Sequence, residues 1–355
     1  MNALPPTLPL VRDAPLSDIK RGKASSRAPA PHRPMMKTIE YKVEFLTPAF
    51  LGNAEQSGQW RTPPFKALLR QWWRVAWAAR HGFQVDINAM RHEEGKLFGN
   101  VGPKKGSSLK SRVWLRLEDW SDGKLNNDKW REEVQSVASL QSPANPSSAG
   151  RAFYPLHYVG YGLLKNARQM EETRSPAIGC GESKMLRIAA PGSDIDYIRD
   201  AMRLVHLYGA LGGRSRNGWG SVDLMDNSEA NTSDLTLTRP WKEALNLDWP
   251  HAIGKDENGP LIWETKEFQG WGEIMKEFGE LRKSIRKIIK APRGSTRLPN
   301  TIRFKVRKSD RNGHIKGVIF HMPCKPPAEI NDQTQVSDWE KAHRELENSL
   351  SRSKE

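Results

Sequence analysis

Twice along its length the sequence switches from a period of two to a period near 3.6 and back again. This prescribes strand, helix and strand in that order. In the first instance Ile39, Tyr41, Val43 and Phe45 alternate with polar neighbours across Thr38–Leu46. A loop rich in Gly, Asn and Gln follows, and Pro63-Pro64 then open an apolar-periodic helix running to about Arg80, proline being tolerated in a first helical turn. Within Ser111–Trp120, Val113, Leu115 and Leu117 fall on one face and Arg112, Trp114 and Arg116 on the other. The second instance comprises Lys184–Ala190, Asp194–Leu211 and Trp219–Leu224. Two such units in one chain imply an α+β protein with a ferredoxin-like sheet and its helices on one face. Between the units, Ser121–Pro146 and Arg151–Leu164 read as insertions, the second carrying Tyr154, Tyr158 and Tyr161.

The remaining segments divide by composition. Residues 1–35 are rich in Pro, Ser, Ala and Arg and lack apolar periodicity, so a disordered tail is expected there. The chain equally allows a start at Met35 or Met36, with the preceding residues an upstream extension. The ferredoxin-like domain spans 36–225, and residues 226–270, opening on Asn, Ser, Asp and Thr, read as linker or irregular structure. A smaller C-terminal α+β region at 271–325 combines a helix over Gly272–Lys290 with a hairpin. In that hairpin Thr301–Arg307 and Ile315–Met322 alternate on either side of Asn312-Gly313. Residues 326–355 read as a polar tail with one short, marginal helix.

A formal net charge of +15 calls for an anionic partner. Nucleic acid leads, and an anionic membrane is the weaker candidate. The sequence contains neither an apolar run of about 18 residues nor a signal-peptide core near its start, so no membrane partner and a cytoplasmic location are expected. Cys180 and Cys324 are the two cysteines, without CxxC or a nearby His at ligand spacing, so reduced thiols, no zinc and no cofactor are expected.

Two constellations could bind such a partner. On the proline-led helix Lys66, Arg70 and Arg74 recur every four residues, with Trp73 and Trp77 beside them. Cations that hold phosphates next to an aromatic that stacks a base are one reading; core tryptophans under a solvated charged face are the other. The run Gly209–Gly220, at a helix-to-strand junction, includes Gly212-Gly213-Arg214-Ser215-Arg216-Asn217-Gly218-Trp219. Its glycines would let amides approach an anion beside Arg214 and Arg216, or would make a helix C-cap followed by a turn. A basic run from Lys283 through Arg286, Lys287, Lys290, Arg293, Arg297, Arg303, Lys305 and Arg307 to Arg311 is expected to form a further RNA or subunit surface, although a solvated helix face equally accounts for its first four members.

The segment Gln59–Arg74, the Gly95-Lys96-Leu97-Phe98-Gly99 element and the loop Gly212–Ser221 together resemble the RAMP superfamily of CRISPR-associated RNA-binding proteins. The double tryptophan before Arg74 is similar to the first RAMP subunit family of the type III-B Cmr complex. The resemblance covers about Thr38–Leu224 and implies an RNA-recognition-type fold gripping guide RNA or a guide–target duplex beside sister subunits, near the guide 3′ end. It carries an RNA-contacting role onto Arg61, Lys66, Arg70, Arg74, Gly212, Gly213, Arg214, Ser215, Arg216, Asn217, Gly218 and Trp219, with Trp219 alternatively buried under the loop. Family members that cut target RNA use an Asp after the first strand, whereas Thr47–Gly58 holds Glu55 and no Asp. A non-catalytic subunit is therefore expected, the alternative being a metal-independent endoribonuclease using His81, His92 or Glu55.

Overall fold

The computed structural model describes residues 35–55, 57–102, 108–136, 153–164, 176–226, 235–289, 300–309, 313–328 and 332–353. The expected tail lies outside them except for Met35, as do Asn312 and the basic residues Lys290, Arg293, Arg297 and Arg311. The first alternating segment is β1 (Met36–Phe45), with Ile39, Tyr41, Val43 and Phe45 buried. There follow α1 (Thr62–Arg80), α2 (Ile87–Phe98), β2 (Trp114–Leu117), α3 (Asn127–Ser136), α4 (Pro155–Val159), β3 (Ser183–Pro191), α5 (Ile195–Tyr208) and β4 (Val222–Asp226). The four strands lie in the order β2-β3-β1-β4, every neighbour antiparallel, with α1 and α5 as the crossovers. This is the expected β-α-β-β-α-β arrangement.

The C-terminal part is built the same way. After a small sheet of β5 (Thr238–Pro240), β6 (Ile253–Asp256) and β7 (Gly259–Pro260) come β8 (Ile262–Phe268), α6 (Trp271–Ile288), β9 (Ile302–Lys308), β10 (Ile315–His321), α7 (Asp332–Ser349) and β11 (Ser351–Arg352). The larger sheet has the order β11-β8-β10-β9, again antiparallel throughout. In both sheets the fourth strand lies next to the first, then the third, then the second, so the chain contains two ferredoxin-like modules. The hairpin of β9 and β10 matches the expectation. The structure differs in placing strands within 226–270, where a linker was expected, and an 18-residue helix where a marginal one was expected.

Burial explains both differences. Ile262 of β8 packs into the core of the first module while its neighbour Trp263 packs into the second core, so a strand covered on both faces shows no alternation. The buried side of α7 includes Gln335 and His343 beside Trp339, Ala342 and Leu346, which obscures its apolar stripe.

The cores stack in four layers. Trp72 of α1 and Tyr208 of α5 lie 5.9 Å apart, and each meets Phe320 of β10, at 6.5 and 5.0 Å. The helices of the first module are therefore clamped between its own sheet and the second sheet, whose other face carries α6 and α7. That two-sided burial accounts for the nine buried residues of α1. The outer face of the first sheet stays open, with Lys42, Trp114, Arg116 and Arg187 exposed. Among the described residues no helix is long and apolar enough to cross a membrane.

Candidate nucleic-acid interface

The cationic stripe of α1 faces α2. Glu94 of α2, only 2% exposed, accepts hydrogen bonds from the Nε groups of Arg70 and Arg74, the second at 2.7 Å. Two guanidiniums on one carboxylate leave the group with net positive charge, and both side chains remain nearly two-fifths exposed, at 38% and 39%. Lys66 Nζ donates to Ser111 Oγ at 2.7 Å, and burial together with the Arg70 charge lowers its pKa. Trp73 and Trp77 are core residues, and Trp77 Nε1 donates to Glu93 at 2.6 Å, so neither ring presents a face to a base. Arg61 donates to the carbonyl of Gly52.

The glycine-rich loop is the seam between the modules. The amides of Gly213 and Gly220 donate to Phe50 and Pro48 in the loop after β1, and that of Ser221 to Thr47 Oγ1. Those of Asn217 and Gly218 close turns onto Arg214 and Ser215. The second module joins at β9, where Phe304 N–H donates to the Arg216 carbonyl at 3.1 Å and Val306 N–H to Ser221 Oγ at 2.9 Å. Gly220 is required, since at φ +64° a Cβ would stand 1.9 Å from the Leu211 carbonyl oxygen. Gly218, at φ +96°, lies against the Phe278 ring of α6. Asn217 is buried with Nδ2 donating to Val159, and Trp219 is fully buried among Phe50, Trp130 and Trp271. With Ser215 N–H donating to the Gly212 carbonyl, six loop amides thus have acceptors within the protein, and the charge that the loop presents outward comes from its side chains.

Those side chains are arginines. Arg214 and Arg216 are exposed while Ser215 is half-buried, and Arg214 sits at φ +55° with Nε donating to the Tyr161 carbonyl at 2.7 Å. The Tyr161 ring beside it is exposed. The fold adds charge from the second module: Arg282 lies within electrostatic reach of Arg214 and Arg286, and Arg303 of Arg216. Burial pushes Arg303 down to about 9 and Arg282 down to about 10, the neighbouring guanidiniums adding to both shifts. None of these five arginines forms an ion pair among the described residues. The glycine loop and part of the basic run therefore converge, while among the described residues the α1 stripe and the loop share no hydrogen-bonding partner.

Two members of the basic run take other positions. Lys305 is fully buried, donating to the carbonyls of Gly209 and Val222, and burial drives its pKa far down. Arg303 is 5% exposed. Both lie on β9 where it is covered on both faces, so they act at the module seam rather than on an open surface. Arg282 was missed in the sequence because it falls on the flank of an apolar stripe, without a motif around it.

The candidate catalytic groups do not form a constellation. The His81 ring stacks on Trp77 at 3.8 Å with Nδ1 2.8 Å from the Trp77 carbonyl, as a helix-end contact. Glu55 is exposed on the loop after β1, and His92 is exposed on α2. Among the described residues no group of three or more His, Cys, Asp or Glu could hold a metal ion, and Cys180 and Cys324 are free thiols.

A family model of the RAMP superfamily matches residues 42–223, slightly more than half of the chain. The chain belongs to the RAMP superfamily. The RAMP match runs from within β1 to within β4, and so takes in both α1 and the glycine loop. Among solved structures the chain is similar to apo Cmr1 from Pyrococcus furiosus, with 16% identity and a TM-score of 0.49 over 88% of this chain and 97% of that one. It is also similar to a chain in a cryo-EM structure of the type III-B Cmr-beta complex bound to cognate target RNA and AMPPnP in the presence of ssDNA. There the identity is 11% and the TM-score 0.44, over 89% and 99% of the two chains. A comparison with curated proteins finds no match.

Proposed function

We propose that this RAMP protein is a non-catalytic RNA-binding subunit of a type III CRISPR effector ribonucleoprotein, holding guide RNA or a guide–target duplex near the guide 3′ end and packing beside sister RAMP subunits. The observation that carries the reading is the seam itself. A loop fixed by its own amides presents Arg214 and Arg216 outward, next to three further arginines without carboxylate partners. Like charges gathered without counter-charge favour an anionic polymer, and guanidiniums bind phosphate through paired N–H groups. Tyr161, 66% exposed beside Arg214, offers a ring on which a base can stack. Lys66, Arg70 and Arg74 with Arg61 form a second, weaker phosphate contact, because Glu94 already neutralises part of their charge.

The test is ultraviolet cross-linking of the full chain to guide-like RNA, with mapping of adducts by mass spectrometry and scoring of RNA length in the same tubes. Adducts at Tyr161 and within Gly212–Ser221 on intact RNA are expected. Reproducible cleavage, lost in His81→Ala, His92→Ala or Glu55→Ala, would give the protein to the endoribonucleases instead.

A further inference from the structure

A small cavity of about 60 Å³ lies in the second module, where α6, the start of β9 and the first turn of α7 meet. Arg282 and Arg286 project from α6, Asn300 and Thr301 precede β9, and Gln335 and Trp339 come from α7. Among the described residues the lining contains two guanidiniums and no carboxylate. Gln335 is 3% exposed, and its Nε2 has no hydrogen-bond acceptor. A buried donor without an acceptor is costly and rare in folded proteins. Arg282 is held in place by Asn300 Oδ1 at 3.2 Å and by the Phe304 ring at 5.9 Å. The cavity therefore brings together an orphaned donor and two guanidiniums that form no ion pair among the described residues.

We infer that this cavity is an oxyanion site that takes a phosphate monoester group, either free phosphate or the terminal phosphate of an RNA strand. Size and charge select it. The cavity has room for several water-sized groups, as the four oxygens of a phosphate require. A monoester carries nearly two negative charges and three unesterified oxygens, enough to meet both guanidiniums and Gln335 Nε2 together. An internal phosphodiester carries one charge, which leaves one of the two guanidiniums without a counter-charge. The site draws Arg282 and Arg286 from the arginine cluster that borders the exposed Arg214–Arg216 surface, and binding of inorganic phosphate tests it apart from RNA binding there.

The experiment measures the melting midpoint of the full chain against increasing inorganic phosphate at ionic strength held constant with chloride. Arg286→Gln, at an exposed position, and Gln335→Met are run alongside. A saturable rise with phosphate is expected, with at least a tenfold loss of apparent affinity in Arg286→Gln. A second arm compares short RNAs ending in a 5′- or 3′-phosphate with the same RNAs ending in hydroxyls. Competition by one phosphorylated end assigns the site to an RNA terminus, and competition by neither assigns it to free phosphate; both support the oxyanion site. The proposal is overturned if phosphate gives no saturable rise, or if the rise is the same in Arg286→Gln, whatever the behaviour of Gln335→Met.

Discussion

Acidification from pH 7.5 to 4.5 should strip this protein of most of its stability through histidines buried in the neutral form. His321, at the end of β10, and His343, on α7, are enclosed side by side, with His343 Nε2 2.9 Å from His321 Nδ1. One nitrogen must donate and the other accept, so the two rings cannot both be protonated, and His321 Nε2 is taken up by Thr301 Oγ1 at 3.1 Å. Burial pushes His343 down to about 4 and holds His321 well below its ordinary value. His251, fully buried against Arg239, is likewise pushed down to about 4 by burial. Relative to an ordinary value of 6.5, each drop to about 4 corresponds to roughly 3 kcal/mol. The folded protein binds fewer protons than the unfolded chain throughout this window. The stability is therefore fully present above pH 6.5 and is lost as the pH falls through 6.5 towards 4. Between pH 7.5 and 4.5 two such sites lose roughly 5 kcal/mol, comparable with the whole stability of many domains. Urea unfolding followed by tryptophan fluorescence is a direct assay, because Trp241 and Trp339 each lie 5.4 Å from a ring of the pair. His343→Phe should cost about 1 kcal/mol at pH 7.5 and flatten the acid limb by about 1.4 kcal/mol per pH unit. A wild-type profile flat from pH 6.5 to 4.5, or a variant running parallel to it, would refute the reasoning.

Three further outcomes follow from the seam and the α1–α2 contact. Gly220→Ala must move a carbonyl that now lies 1.9 Å from the new Cβ, so its melting midpoint should fall by about 5 °C or more in differential scanning fluorimetry. Gly259→Ala, with open space around it, should fall less. Glu94→Gln leaves Arg70 and Arg74 sharing a neutral acceptor. Because both guanidiniums are already partly solvated, a loss of only about 1–2 kcal/mol is expected in urea unfolding. Trp73→Phe and Trp77→Phe should lower stability by about 1–3 kcal/mol while leaving RNA affinity unchanged, as side-by-side unfolding and anisotropy titrations would show.

The first module was legible in the sequence because its sheet is covered on one face only. Ile39, Tyr41, Val43 and Phe45 point inward and their neighbours outward, leaving the alternation intact. In the second module the hairpin of β9 and β10 was legible, but the topology was hidden because β8 is covered on both faces where it begins, and because Gln335 and His343 interrupt the buried side of α7. In the site, the glycine loop and its two arginines could be found by composition. The cover that α2 places over Arg70 and Arg74 could not, since Glu94 lies in an ordinary charged stretch and acquires its meaning only when α2 packs on α1. Nor could the burial of Lys305, a residue that reads as surface charge until β9 closes against Gly209 and Val222.

The central claim is that the outward arginines of the seam hold RNA through its phosphates. Its most direct test is the affinity of the full chain for single-stranded, guide-like RNA across a salt series, for wild type, the Arg214→Ala/Arg216→Ala double variant and Lys242→Ala. Each phosphate contact contributes about −0.7 to the slope of log affinity against log salt. The double variant should therefore bind more weakly with a slope shallower by about 1.4, while Lys242→Ala, at an ion pair with Glu340, should match wild type. Equal affinity and equal slope in the double variant, or no salt-sensitive retention by the wild type, would contradict the account.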